Sequence, residues 1–349
     1  MKSEAHKKRK RSVKQVDSST VLVTVEHLQG LQTFVLNELK RYKGTAVLSK
    51  TKDSVSVVSK SPFEFLELRS IIAAYWTLSF EIPRPKALLG DEHFGRLLKV
   101  IREITTKGSF SSFRLSAAGK DSGIFVRLSE RIEKESGLAF GEEGDLLLRI
   151  RPSRTGWDVL VRLSPRPQSA RAYRRCNMAG GLNATLAFAM NELAGSHKDD
   201  VYLNAMCGSG TLLIERALAA PCKRLMGVDL NEEALECSRQ NIRGARIKAI
   251  DLINRDATKL PFEDGYFNVI TSDLPWGDAV GSHEGNKELY PAFLEEMGRV
   301  SSKDARFVLL THEIKLFERV MKSQSTWQIV KEHKVYHGGH YPRMYLLRK

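Results

Sequence analysis

Four positions in the second half of the chain carry residues able to act on a bound nucleoside. Val201-Tyr-Leu-Asn-Ala-Met-Cys-Gly-Ser-Gly-Thr211 runs from an apolar stretch through Gly208 and Gly210 into Leu212-Leu-Ile-Glu-Arg-Ala-Leu-Ala-Ala220. That pattern predicts strand, glycine turn and helix. Glycine lets the backbone approach a ligand closely, and the helix behind it offers free N–H groups. Asp229 closes the next apolar run, at about the spacing of roughly 20 residues expected of an acid that accepts from ribose hydroxyls. Asp256 with Ala257 follows a third run and is placed to meet an adenine edge. No fixed lysine follows the glycines, which excludes a triphosphate loop, and G-x-G-x-x-G is missing, which argues against a dinucleotide. A nucleoside with a short charged tail fits the set, which points to S-adenosylmethionine. Strands of α/β proteins often end in Asp and Gly for turn reasons alone. The set in this order is what carries the functional reading.

Asp273-Leu-Pro-Trp276 closes a fourth apolar run. An amine on a heteroaromatic ring is a poor nucleophile because its lone pair is delocalised. The Asp273 carboxylate and the Leu274 carbonyl would each accept one N–H, holding the nitrogen in a pyramidal form. Pro275 stiffens the turn, and Trp276 offers a flat surface on which an extruded base can stack, worth roughly 1–3 kcal/mol. Most of the catalysis would then come from positioning.

The elements that must hold these residues follow from periodicity. From residue 196 onward β and α signals alternate, the mark of a parallel sheet with ligands at the strand C-termini. Strands are expected at Val201–Ala205, Leu225–Asp229, Ile250–Asn254, Phe267–Ser272 and Arg306–Thr311, with a terminal pair at Trp327–Tyr336 and Arg343–Leu347. Helices are expected at Ala184–Leu193, Glu232–Ile242 with Asn231 as N-cap, Glu288–Val300 and Ile314–Lys322. Upstream, a strand at Val21–Val25, a helix at Leu28–Tyr42, a strand at Val55–Val58 and a helix opened by Pro62 make one α+β block. Ile82–Lys86 reads as a linker. A second block holds helices at His93–Thr106 and Ile124–Ser136, a strand at Ser112–Ser116, and a strand pair at Leu146–Ile150 and Trp157–Leu163. Arg149, Arg151, Arg154 and Arg162 alternate with apolar positions on that pair and would share its outer face. That face could hold phosphates, although a solvated face is the simpler reading. A second, basic linker contains Arg171, Arg174 and Arg175.

The chain has 349 residues and a net charge of +14, from 55 Lys and Arg against 41 Asp and Glu. Such a surplus suits a polyanion such as RNA as well as mere solubility. No apolar run reaches the roughly 18 residues of a membrane span. The four cysteines, without a CxxC pair, suggest reduced thiols and a cytoplasmic setting. Residues 1–17 are basic and almost free of apolar groups, so a disordered tail is expected. His333, His337 and His340 lie near a hairpin, but without cysteine or carboxylate at suitable spacing they read as a solvated loop. No metal site is expected. Cys207 has no nearby base, and it reads as a small packing residue in the turn.

Asn204-Ala-Met-Cys-Gly-Ser-Gly-Thr211, Asp256-Ala-Thr-Lys-Leu-Pro-Phe262 and Ser272-Asp-Leu-Pro-Trp-Gly277 together resemble the TrmN-like RNA guanine-N2 methyltransferases that carry a THUMP domain. Gly338-Gly339 and the final strand resemble their C-terminus. Met178–Asn183 is similar to the segment that crosses the cofactor. Likeness is strong over 171–349 and weaker over 20–168. It implies a Rossmann-like class I methyltransferase domain with a seven-stranded sheet at 169–349. A ferredoxin-like domain at 18–85 and a THUMP-like RNA-binding domain at 86–168 would precede it. It implies S-adenosylmethionine held by Gly181, Leu182, Asn183, Asn204, Met206, Cys207, Gly208, Ser209, Gly210, Thr211, Asp229, Leu230, Asp256, Ala257 and Asp273. The implied reaction is methyl transfer to guanosine N2 in tRNA, typically position 6 of the acceptor stem, with the 3′ end docked by the THUMP region. Asn204 stands where the family has Asp, and Leu274 where it often has Pro. The alternatives are a ribosomal or small nuclear RNA guanine, an adenine amine in DNA, or a non-catalytic RNA-binding protein with a remnant cofactor fold. The intact Asp273 and Trp276 argue against the last, and the N-terminal blocks against a bare DNA enzyme. Protein partners are not legible.

Overall fold

The second half of the chain builds the sheet its periodicity predicts. The computed structural model describes residues 20–276 and 282–349; the basic start at 1–17 lies outside the described residues. In chain order the first half contains β1 (Val21–Glu26), α1 (Gln32–Leu39), β2 (Ala46–Lys50), β3 (Ser54–Ser59), β4 (Ala73–Phe80), α2 (Asp91–Thr105), β5 (Ser112–Ala117), α3 (Gly123–Ser136), β6 (Ala139–Phe140), β7 (Leu146–Pro152) and β8 (Trp157–Arg162). The second half contains α4 (Ala184–Ala194), β9 (Val201–Ala205), α5 (Thr211–Ala219), β10 (Arg224–Asp229), α6 (Glu232–Gly244), β11 (Asp251–Asn254), β12 (Phe267–Asp273), α7 (His283–Val300), β13 (Ser301–Thr311), α8 (Ile314–Lys322), β14 (Gln328–Lys334) and β15 (Arg343–Arg348).

Strands of the second half order as β11-β10-β9-β12-β13-β15-β14. Neighbours from β11 to β13 are parallel, and β15 runs antiparallel between β13 and β14. This is a Rossmann-like sheet. β9, β12 and β13 are buried along most of their length, as expected for parallel strands covered on both faces. The order reverses beside β9, so the tips of β9 and β12 face one crevice. Asn231 caps α6 as predicted, accepting from Glu233 N (2.8 Å) and Ala234 N (3.3 Å).

The first half departs from the expected division. Its strands form one eight-stranded sheet, β2-β3-β1-β4-β8-β7-β5-β6, and one apolar core runs across residue 85. β4 pairs with β1 on one side and β8 on the other, so the presumed linker at 82–86 does not separate two sheets. The helix expected after Pro62 is a short 3-10 helix, Pro62–Glu67. The apolar residues beyond it, including Trp76, belong to β4, where pairing on both sides overrides helical spacing. β2 was not predicted, and all five of its residues are exposed, so it carries no alternating pattern. α1 is shorter than Leu28–Tyr42. The chain before it turns at Gly30 (φ +100°), where a Cβ would collide with the backbone of Lys334 and Val335.

That turn belongs to a continuous junction between the halves. Leu31 and Phe34 share an apolar cluster with Leu182, Leu186, Val335 and Met344, and Tyr336 N donates to Gln29 O (2.9 Å). Glu215 of α5 is buried at the junction. It accepts from Arg69 Nη2 (2.7 Å), Arg171 Nε (2.9 Å) and Tyr173 Oη (2.7 Å). Behind the sheet, buried Asp200 pairs with buried Arg216 (2.9 Å) and with Arg306.

Candidate active site

β9 ends at Ala205 because the backbone turns sharply there. Met206, Gly208 and Gly210 all have positive φ, at +56°, +52° and +77°. Met206 is one of two non-glycine residues in that region among the described residues, a strained position of the kind that collects at functional sites. A Cβ on Gly210 would press on Ser238 Oγ at 2.8 Å, so glycine there lets α6 pack close. A Cβ on Gly208 would meet nothing within 4 Å. Asp229 ties the tips of β9 and β10 together. Its Oδ2 accepts from Gly208 N (2.8 Å) and its Oδ1 from Asn231 N (2.9 Å). Each oxygen keeps a second lone pair for a ligand. Asp256 Oδ1 accepts from Thr258 N (2.8 Å) and Thr258 Oγ1 (2.7 Å), which sets its direction. The Cys207 thiol is buried and burial pushes its pKa far up, so it is inert, as the sequence suggested.

At the tip of β12, Leu274 N donates to Leu310 O (3.0 Å). The Pro275 carbonyl accepts from Asn286 Nδ2 (3.0 Å) and Tyr290 Oη (2.8 Å), both buried. Among the described residues no donor engages the Leu274 carbonyl. Trp276 Nε1 donates to Asp273 Oδ1 (3.2 Å). Loss of solvent pushes the Asp273 carboxyl up to about 7, and the Trp276 bond offsets this only in part. Trp276 lies against two histidine rings, His312 at 5.8 Å and His340 at 6.3 Å, which are themselves 4.5 Å apart.

These groups line one cleft of about 900 Å³. Gly181, Leu182, Met206, Cys207, Gly208, Ser209, Thr211, Asp229, Leu230, Asp256, Ala257 and Asp273–Trp276 all face it. Three expected cofactor residues do not. Asn183 caps α4, accepting from Thr185 N (2.9 Å). Asn204 is buried within the sheet and donates to Thr271 O (3.1 Å). Gly210 serves the packing of α6. Met178–Gly180, from the segment likened to one that crosses the cofactor, and Gly338 line the cleft as well. The sequence reading did not assign Leu212, Asn231, Ala234, Leu289, His337 and His340 to the site, and they also line it. The loop at 337–340 is thus part of the site rather than a solvated turn, because the antiparallel pairing of β14 with β15 returns it over β13. Among the described residues no cluster of three or more metal-ligating side chains occurs.

The segment over the cleft is anchored from behind. Arg174 Nη2 donates to Leu182 O (2.6 Å) and Thr211 Oγ1 (3.0 Å). Asn241 of α6 accepts from Arg175 N (2.7 Å) and Cys176 N (2.9 Å), and donates to Ser209 O (3.1 Å). Cys176 and Cys237 form a disulfide, with Cα atoms 5.4 Å apart. This corrects the expectation of four reduced thiols. The two cysteines are 61 residues apart, and the anchoring of the segment on α6, in part by Asn241, brings them together. Denatured protein without reductant should therefore show two reactive thiols, from Cys207 and Cys222, and four after reduction. Serine at both disulfide positions should lower stability by about 2–4 kcal/mol in urea unfolding. Four thiols without reductant would contradict the pairing.

The seven arginines singled out for RNA fare unequally. Arg149, Arg151 and Arg162 share one sheet face by register, but that face carries the buried side chains of Tyr75, Leu147 and Leu160. Arg162 is buried there and donates to the carbonyls of Ser164 (2.8 Å), Asp145 (3.0 Å) and Pro165. Arg149 pairs with Glu26, and Arg171 with Glu215. Arg174 holds the cleft segment as described above. These four are committed inside the protein, because an arginine close to a carboxylate or a bare carbonyl finds a partner there. Arg151, Arg154 and Arg175 remain exposed. No helix among the described residues is long and apolar enough to cross a membrane.

Residues 171–343 match the model of the methyltransferase domain of RMKL-like proteins, UPF0020. A bovine relative, tRNA (guanine(6)-N(2))-methyltransferase THUMP3, is 33% identical over 183 residues, covering 48% of this chain and 36% of its own length. The tRNA (guanine(6)-N2)-methyltransferase of Methanocaldococcus jannaschii is 27% identical over 215 residues, 51% of this chain and 56% of its own. The chain thus matches between about a third and just over half of these relatives' length. The crystal structure of TrmN from Thermus thermophilus superposes with a TM-score of 0.74 at 21% identity, over 94% of this chain and 99% of that one. It shows the same fold throughout.

Proposed function

We propose that this chain, whose residues 171–343 match the model of the RMKL-like methyltransferase domain, is an enzyme that methylates the exocyclic N2 of a guanosine in tRNA, acceptor-stem position 6 being the first candidate. The methyl donor is S-adenosylmethionine, which supplies an electrophilic methyl on a sulfonium. The cleft suits it: Gly208 leaves an open backbone face, Asp229 offers free lone pairs to ribose hydroxyls, and Asp256 can accept from the adenine amine. Asp273 and the Leu274 carbonyl accept the two N–H groups of the target amine. Asn286 and Tyr290 occupy the Pro275 carbonyl and so aim the turn. Trp276 supports the base. The ammonium that forms is strongly acidic and releases its proton readily, so no strong base must act first. The sheet of residues 20–163 would dock the RNA.

One observation carries this reading: Asp273 and Trp276 line the same cleft as Gly208 and Asp229. The names of the bovine and archaeal relatives support guanine N2 of tRNA over other targets. The test is mass analysis of nucleosides from unmodified tRNA incubated with the protein and isotopically labelled cofactor. Labelled N2-methylguanosine is expected. Label in DNA adenine would replace the substrate assignment, and cofactor binding without transfer to any RNA would end the enzymatic one.

A further inference from the structure

We propose that a second, cationic cavity beside Trp276 binds a phosphodiester of the RNA whose guanine enters the cleft. This rests on the methylation reading above. The cavity, of about 630 Å³, is lined by the start of α8, the start of α7 and Arg343 of β15. His312 lines this cavity, His340 lines the first, and both rings touch Trp276. The two cavities therefore meet at the surface on which the target base would stack. A nucleotide whose base lies on Trp276 must carry its ribose and phosphate away from that surface, and the second cavity is the space beside it.

Among the described residues the charge there is not balanced. Glu313 is engaged by His283 (2.8 Å), and Glu318 by Arg343 (3.2 Å), which also reaches Glu332 (2.9 Å). Lys287 pairs with Glu284 (2.8 Å). Lys315 and Arg319 are left, both exposed and both without a partner among the described residues. They stand four residues apart on α8, where like charges repel. Such an arrangement is costly in the free protein and favourable once an anion lies between the two groups. The first turn of α8 lacks a side-chain cap, so its positive end adds to the same field. Arginine matches the flat, two-oxygen geometry of a phosphodiester, and lysine adds a point charge. Phosphate contacts of this kind fix register rather than sequence, which is what a site that must present one guanine nitrogen requires.

The test uses the full chain and a fluorescein-labelled tRNA transcript, with binding followed by anisotropy as salt is raised. Replacing both Lys315 and Arg319 by alanine should lower the slope of log K against log salt by about two, one per lost phosphate contact. It should raise the KM for RNA about tenfold and leave cofactor affinity unchanged. Lys303→Ala, an exposed change at the start of β13 remote from the cleft, is the control. A double variant with the slope and affinity of that control would overturn the proposal. Protein that transfers no methyl, yet loses the expected slope in the double variant, would leave the phosphate site standing and remove the methylation reading instead.

Discussion

Asp273→Ala is expected to slow methyl transfer by about 10²–10³-fold, equivalent to roughly 2.7–4 kcal/mol of lost transition-state stabilisation, while cofactor affinity stays within a few-fold of wild type. The reason lies in position. Asp273 is the carboxylate that ends β12, with Trp276 Nε1 on one oxygen, and it lines the cleft. Its role is to accept, so it must be ionised. Desolvation holds its carboxyl at about 7 against an ordinary 3.8. kcat/KM, which reports the free enzyme, should therefore rise as pH increases through about 7 and level off above it. Stability runs the other way. The folded protein keeps a proton that the unfolded chain releases near 3.8, so this contribution is complete below that value and is lost as pH rises through about 7. Asp273→Asn removes the desolvated charge and keeps one acceptor oxygen. It should lose less activity than the alanine variant, flatten the pH profile, and melt no lower than wild type at about pH 8. Initial rates across pH with thermal melts of the three proteins would decide the matter. A wild-type profile flat through neutrality, or an alanine variant within tenfold of wild type, would remove Asp273 from the chemistry.

The largest effect on stability is expected at Glu215. Its carboxylate is fully buried and accepts from Arg69, Arg171 and Tyr173. Arg171 is itself nearly buried, with 8% of its side chain exposed. Glu215→Ala would leave that guanidinium and the Tyr173 hydroxyl without an acceptor, and breaking a buried pair in this way costs about 3–5 kcal/mol. For a protein of this size the melting temperature should fall by roughly 4–7 °C. The loss should extend to the cofactor, because Arg171 and Tyr173 lead directly into the segment that roofs the cleft. A weaker cofactor affinity, read by calorimetry at a temperature where the variant is still folded, separates this from simple destabilisation. A melting temperature within about 1 °C of wild type would show that the network contributes well under the cost of a broken buried pair.

The carboxylate of Glu215 also shows where reading the chain stopped. In sequence Glu215 is one polar position in the helix after the glycine turn, with nothing to mark it. Its three partners lie in two other segments, Arg69 in one and Arg171 with Tyr173 in the other, and burial appears only when the two halves dock. The same holds for Cys176 and Cys237, whose pairing needs α6 to lie behind the cleft segment. Arg162 and Arg171 likewise read as cations available to RNA until nearby carbonyls and a carboxylate claim them. The eight-stranded sheet of the first half was seen as two blocks, because pairing between β4 and β8 joins residues far apart in the chain.

Local rules were sufficient for what depends on short spacing. The glycine turn, Asp229, Asp256 and the Asp273–Trp276 turn were all identifiable, because each closes an apolar run and a parallel sheet presents all such ends on one edge. The α6 cap and the seven strands of the second half followed from the same patterns. The amino-acid order by itself thus pointed to a nucleoside-type ligand and to most of the residues that line the cleft. Tertiary structure alone decided which charges are spent inside the protein and which remain for a partner, since ion pairs, disulfides and desolvation depend on distances in space that no spacing along the chain encodes.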